Sequence, residues 1–206
     1  MSLFIKKTPE LLKHISILKK ISSTIEITPC TLKTSTIQIE LSPFTNASIT
    51  IYTSDLDNLL SLDTFTIEDN IIQYYNTLNI HNTALIVNKS IKLLNTKFNT
   101  IKLSNPNESF KSSYLFMSKI FKESNVTFKI SKDKLKIFND EIELNINDIK
   151  STTDNEYEFN LKCKDIVFLG YYERDEVTVE LYDSCVIFCI YFDDSTLLSR
   201  VPIIMK

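Results

Sequence analysis

Apolar residues recur at helical spacing over the stretch TPELLKHISILKKI, where Leu11, Leu12, Ile15, Leu18 and Ile21 form one stripe. The pattern predicts a helix over 8–21, with Thr8 as N-cap and Pro9 in the first turn, where a missing N–H is tolerated. Lys6, Lys13 and Lys20 recur every seven residues and fall nearly in line on another face, with Lys6 just ahead of the helix. The stretch SFKSSYLFMSKIFKE repeats the arrangement. There Phe110, Tyr114, Met117 and Phe121 form the apolar stripe, while Lys111, Ser118 and Lys122 form the polar one. Taken singly, each is an amphipathic helix with a wet lysine face.

The surroundings of the two helices repeat as well. A short strand at 3–6 precedes the first helix, and runs rich in Ile and Thr predict strands at 24–27, 36–41 and 47–52. SDLDNLLSL, capped by Ser54, predicts a short helix with Leu56, Leu59 and Leu60 inward; strands follow at 65–68, 71–75 and 83–87. The polar segment NKSIKLLNTKFN reads as a connector. The second half predicts a strand at 100–103, the long helix at 109–123 and strands at 126–131, 135–138, 141–147 and 157–161. A short helix in LKCKDIVFLGYY and strands at 176–182, 185–192 and 197–204 complete it. Long and short helices start about 45 residues apart in the first half and about 53 apart in the second. A duplicated α+β unit accounts for this most simply. The expected fold is therefore α+β, with two similar domains, each an antiparallel sheet carrying two helices on one face. The domains fall at 1–88 and 100–206, with the connector at 89–99.

Composition narrows the chemistry. The chain has 206 residues, 43% apolar and 24% charged, which is room for one large or two small cores. No apolar run is long enough to cross a bilayer, and MSLFIKKTPE lacks a signal-peptide apolar region, so an intracellular location is expected. Cys30, Cys163, Cys185 and Cys189 contain no CxxC pair. Cys185 and Cys189 lie four apart in a strand-like run, on one face, as buried thiols in a reducing compartment would; no metal site is expected. Gly170 is the single glycine. Phosphate-cradling loops need glycine where backbone approaches phosphate, so the common nucleotide enzymes are close to excluded. Turns must use Asn139-Asp140 and Asp193-Asp194 instead. His14, within the long helix, and His81, in a polar loop, read as surface histidines with no Cys or Ser in a recognisable catalytic arrangement. No catalytic residue and no cofactor are assigned, and the chain is not expected to be an enzyme. The net charge of −3 disfavours a wrapped, sequence-reading DNA binder. An acidic protein still meets DNA if its lysines gather on one surface.

Three stretches carry a family resemblance: SLFIKKTPELLKHISILKKIS, ITIYTSDLDNLLSL and EVTVELYDSCVIFCIYFDDSTLLSRVPIIMK. They resemble, in turn, the first strand and inner helix, the strand and short helix, and the final three-strand meander of the DNA sliding clamps. These are the trimeric clamps of T-even phages and proliferating cell nuclear antigen. The likeness lies in the order and spacing of elements over essentially the whole chain, and its compactness is more like phage or viral clamps. The resemblance implies a head-to-tail homotrimeric ring, with sheets outside and helices lining a hole for duplex DNA. It also implies a processivity factor whose partners are DNA, a DNA polymerase and a clamp loader, with no membrane involved. On this reading Lys13, Lys19, Lys20, Lys111, Lys119, Lys122, Lys162 and Lys164 face phosphate without reading bases. The scarcity of arginine, only Arg174 and Arg200, agrees, because lysine acts as a diffuse point charge. Glu40, Asp69, Glu173 and Asp193 would lie mostly outside the hole. Asp55 and Asp57 depart from an evenly basic lining; a helix first turn favours carboxylates. A client-peptide pocket would use Leu41, Pro43, Phe44, Leu93, Leu94, Phe98, Pro202 and Ile203, residues that can equally cap the two cores. A clamp-fold transcription factor, a subunit of a hetero-trimeric checkpoint clamp, and a scaffold without nucleic acid remain as alternatives.

Overall fold

The computed structural model describes residues 3–68, 71–76, 79–84, 97–104, 119–121, 124–147, 149–172 and 176–204. The chain forms two compact units, Met1–Lys92 with Asp193–Thr196, and Leu93–Phe192 with Leu197–Lys206.

In the first unit α1 spans Pro9–Ile21, and the Thr8 hydroxyl accepts from the Leu11 N–H at 3.2 Å, as the cap signal predicts. Strands β1 (Thr24–Ile27), β2 (Thr31–Lys33), β3 (Ile37–Leu41) and β4 (Ile49–Tyr52) follow, antiparallel and in the order β3-β2-β1-β4. The sequence pattern missed β2, whose three residues are too few to display an alternation of period two. A 3-10 turn at Thr53–Asp55 leads into α2 (Leu56–Ser61). The meander β5 (Thr66–Glu68), β6 (Ile71–Asn76), β7 (Asn79–Ala84) comes next. β7 lies earlier than the predicted strand at 83–87 and takes in His81, opposite Tyr74. NIHNTA has little strand propensity of its own, and pairing with β6 overrides that. Isolated bridges, Leu3 to Phe65 and Ile5 to Thr45, stand where a strand at 3–6 was expected.

In the second unit β8 (Lys97–Ser104) begins inside the predicted connector. Residues 119–121 are helical, and the rest of the helix predicted at 109–123 lies outside the described residues. Strands β9 (Asn125–Ile130), β10 (Lys134–Phe138), β11 (Glu143–Asn147), the two-residue β12 (Lys150–Ser151) and β13 (Tyr157–Lys162) follow. Helix α3 (Cys163–Ile166) continues as a 3-10 turn, Val167–Gly170. The chain closes with β14 (Glu176–Tyr182), β15 (Cys185–Tyr191) and β16 (Ser195–Pro202). The hydrogen-bonded orders in this unit are β11-β10-β9-β13 and β12-β8-β14-β15-β16.

The two units repeat one topology. In each, a meander is joined by a fourth strand that pairs back onto the meander's first: β4 onto β1, and β13 onto β9. A short helix with a 3-10 turn follows, then another three-strand antiparallel run, β5-β6-β7 or β14-β15-β16. β8 pairs with β14 in the second unit, and the Leu3–Phe65 bridge is a trace of the corresponding pairing in the first. In β9, Val126, Phe128 and Ile130 point inward and alternate with Thr127 and Lys129 on the wet face. Phe128 stacks on Phe159 at 5.4 Å between ring centroids and meets Phe188 of β15 edge-on at 5.9 Å. Phe168 meets the other side of Phe188 at 6.0 Å, so one aromatic column runs through the second core.

Candidate nucleic-acid interface

Helix α1 buries Leu11, His14, Ile15, Ile17 and Leu18. This stripe is rotated from the predicted one. Leu12 is 41% exposed and Ile21 half-buried, while His14 and Ile17 take the inward positions. Lys13, Ser16 and Lys20 are exposed in one line at i, i+3 and i+7, as the heptad spacing requires. Lys13 makes no ion pair among the described residues.

Lys19 is half-buried, and its Nζ lies 2.5 Å from Asp57 Oδ2 on α2. Lys7, ahead of α1, lies 3.7 Å from Asp63, beyond the end of α2. The Thr53 N–H donates to the Ser23 carbonyl at 2.9 Å. The acidic short helix is thus fastened along the lysine helix, and Asp57 does more than occupy a favourable first turn.

In the second unit Lys119 is exposed on the helical stretch 119–121, with Phe121 buried behind it. Lys162, just before α3, and Lys164 within it are exposed. Lys111 and Lys122 lie outside the described residues.

The residues expected to form a peptide pocket have varied settings. Phe44 is 3% exposed, inside the first core, and its N–H donates to the Pro29 carbonyl at 3.0 Å. Leu41 is half-buried and Pro43 exposed. In the second unit Pro202 is exposed and Ile203 half-buried, the Ile203 N–H donating to the Ser184 carbonyl at 2.9 Å. Leu93 and Leu94 lie outside the described residues, and Phe98 falls within β8.

His14 is not the surface histidine that the sequence suggested. It is fully buried, with Nε2 3.0 Å from Ser195 Oγ at the tip of the β15–β16 hairpin. The Ser195 hydroxyl donates to Glu10 Oε1, one helical turn before His14. A hydroxyl has one proton, so His14 must present Nε2–H to Ser195, which sets the tautomer. Glu10 and Ser195 address the same ring nitrogen, Glu10 Oε1 at 3.7 Å. A nucleophile and its orienting carboxylate would instead occupy opposite ring nitrogens. The trio is a buried lock between α1 and the hairpin tip, whose segment Asp193–Thr196 belongs to the first unit. Only Glu10 and His14, at i and i+4, were visible in the sequence; Ser195 is 181 residues from His14.

Burial lowers the His14 pKa below 6.5; Glu10 opposes the shift and Lys13 adds to it. Below pH 6.5 the unfolded chain takes up a proton that the folded chain resists, so stability falls as pH drops from 6.5 to the depressed value. The slope from this one group is at most about 1.4 kcal/mol per pH unit. Urea unfolding between pH 7.5 and pH 5 should show this loss in the wild type and a flatter profile in His14→Gln. Parallel profiles would show that His14 does not carry the effect.

Cys163, Cys185 and Cys189 are buried and Cys30 is exposed, and none of the four is in a disulfide. Burial pushes the Cys163 pKa up to about 11, which keeps it protonated and unreactive. Among the described residues no group of three or more His, Cys, Asp or Glu side chains is placed to hold a metal, and no helix is long and apolar enough to cross a membrane.

No protein-family profile matches the sequence, and no curated protein does. Solved structures match along the whole chain. A proliferating cellular nuclear antigen from Entamoeba histolytica aligns with a TM-score of 0.66 at 11% identity, over 99% of both chains. A chain of the PCNA2–PCNA3 complex from Sulfolobus tokodaii aligns at 0.65 and 11% identity, over 98% of this chain and 99% of that one. The chain has the clamp fold. At this identity the likeness is one of backbone course, and the strand order repeated in both units is its visible form.

Proposed function

We propose that this protein is a DNA sliding clamp of viral or phage type, a processivity factor that encircles duplex DNA and tethers a polymerase. The observation that carries the reading is the doubled strand topology, together with α1, which buries one apolar face and turns Lys13 and Lys20 to solvent. In a head-to-tail homotrimer such faces converge on a central hole, where mobile lysines hold phosphate without reading sequence. The domains are 1–88 and 100–206, joined by 89–99. Lys13, Lys19, Lys20, Lys111, Lys119, Lys122, Lys162 and Lys164 form the lining. The peptide pocket for polymerase and clamp loader uses Leu41, Pro43, Leu93, Leu94, Phe98, Pro202 and Ile203. Phe44 supports it from the first core. The protein works inside the cell as a tether, without catalysis.

A hetero-ring is the second reading, favoured by the two-component PCNA2–PCNA3 complex among the structural neighbours. Molecular mass in solution separates the two, because a self-sufficient clamp assembles alone whereas a hetero-ring subunit stays monomeric. Ring function is tested by loading the protein onto a nicked circular duplex with its loader. Retention on the circle and release on linearisation are expected; equal retention on both would rule out encirclement.

A further inference from the structure

The lysine count of the first unit overstates its positive charge, because α2 and the residues just after it bring carboxylates to lysines in and just ahead of α1. Lys19 is 30% exposed and held 2.5 Å from Asp57, which is itself 74% exposed. Lys7 has Asp63 at 3.7 Å. A lysine paired with a carboxylate carries no net charge, and only net positive charge releases the counterions condensed on DNA. The exposed pair remains reachable by a competing phosphate, since a solvated ion pair holds its partners weakly.

We propose that Asp57 is an electrostatic counterweight to the phosphate backbone of duplex DNA. It occupies Lys19 and so weakens the grip of the α1 face to a level that permits sliding. The inference rests on the reading of that face as DNA-facing. Lys13 supplies attraction on the same helix; the Lys19–Asp57 pair exchanges a carboxylate for a phosphate, and back, as the duplex passes. A site built for static binding would leave Lys19 without such a competitor.

The test is equilibrium binding of the full chain to a short linear duplex across a salt series. Asp57→Asn is compared with Lys13→Glu and with Glu40→Gln, which removes one negative charge from β3 instead. Asp57→Asn should bind about threefold or more tightly at low salt, with the slope of log K against log salt steeper by about 0.9, one extra phosphate neutralised. Glu40→Gln should bind as the wild type does. If Asp57→Asn equals the wild type while Lys13→Glu binds more weakly, the DNA face stands and the counterweight fails. If Glu40→Gln gains as much as Asp57→Asn, the effect is one of total charge and the counterweight again fails. If Lys13→Glu binds undiminished, the DNA face itself falls, and the counterweight with it.

Discussion

Reversing Lys13, Lys20, Lys111 and Lys122 to glutamate is expected to weaken binding to duplex DNA by about a hundredfold or more at low salt. Each phosphate contact contributes about 0.9 to the exponent of salt dependence, and four contacts become four repulsions. Polymerase run length should fall in step. The fold should survive, because Lys13 and Lys20 are exposed on α1 and lie across the helix from its buried stripe. Circular dichroism and thermal unfolding check that half of the expectation. A quadruple variant that loads and slides like the wild type would remove these lysines from the DNA face.

Phe188→Ala should cost about 3–5 kcal/mol of stability, the range for deleting a buried phenyl ring. That is a large share of the roughly 5–15 kcal/mol that keeps an ordinary domain folded. Phe188 is fully buried and joins Phe128 on one sheet to Phe168 in the turn after α3. Its removal therefore leaves a cavity at the middle of the aromatic column, where two neighbours lose their packing partner together. Tyr191, 57% exposed at the end of the same strand, provides the comparison; its alanine variant should stay within about 0.5 kcal/mol of wild type. Urea unfolding followed at one temperature measures both. A Phe188→Ala loss under 1 kcal/mol would mean that the core closes over the gap.

Long periodic segments were legible because periodicity reports burial directly. The positions of α1, β9, β10 and β14 follow from apolar spacing, and the N-cap at Thr8 from hydroxyl chemistry. Elements held by partners were not legible. β2 and β12 are too short to show a period, and β7 has a polar sequence that becomes a strand by pairing with β6. The inward stripe of α1 was misplaced by part of a turn, since Leu12 and His14 flank the shared line of Leu11, Ile15 and Leu18 on its two sides, and hydrophobicity alone favours the leucine inside. Burial of His14 is offset by its hydrogen bond with Ser195, which Glu10 in turn holds, and no local pattern announces a partner 181 residues away.

The sequence by itself determined the α+β class, the repeated order of elements, the scarcity of glycine and the lysine face of α1. Those properties are local, written in spacing and residue type. The tertiary structure alone decided that Lys19 of α1 is paired with a carboxylate of α2. An ion pair such as Lys19 with Asp57 depends on how two helices lie against each other, and that is set by the burial of their apolar sides rather than by the charges themselves.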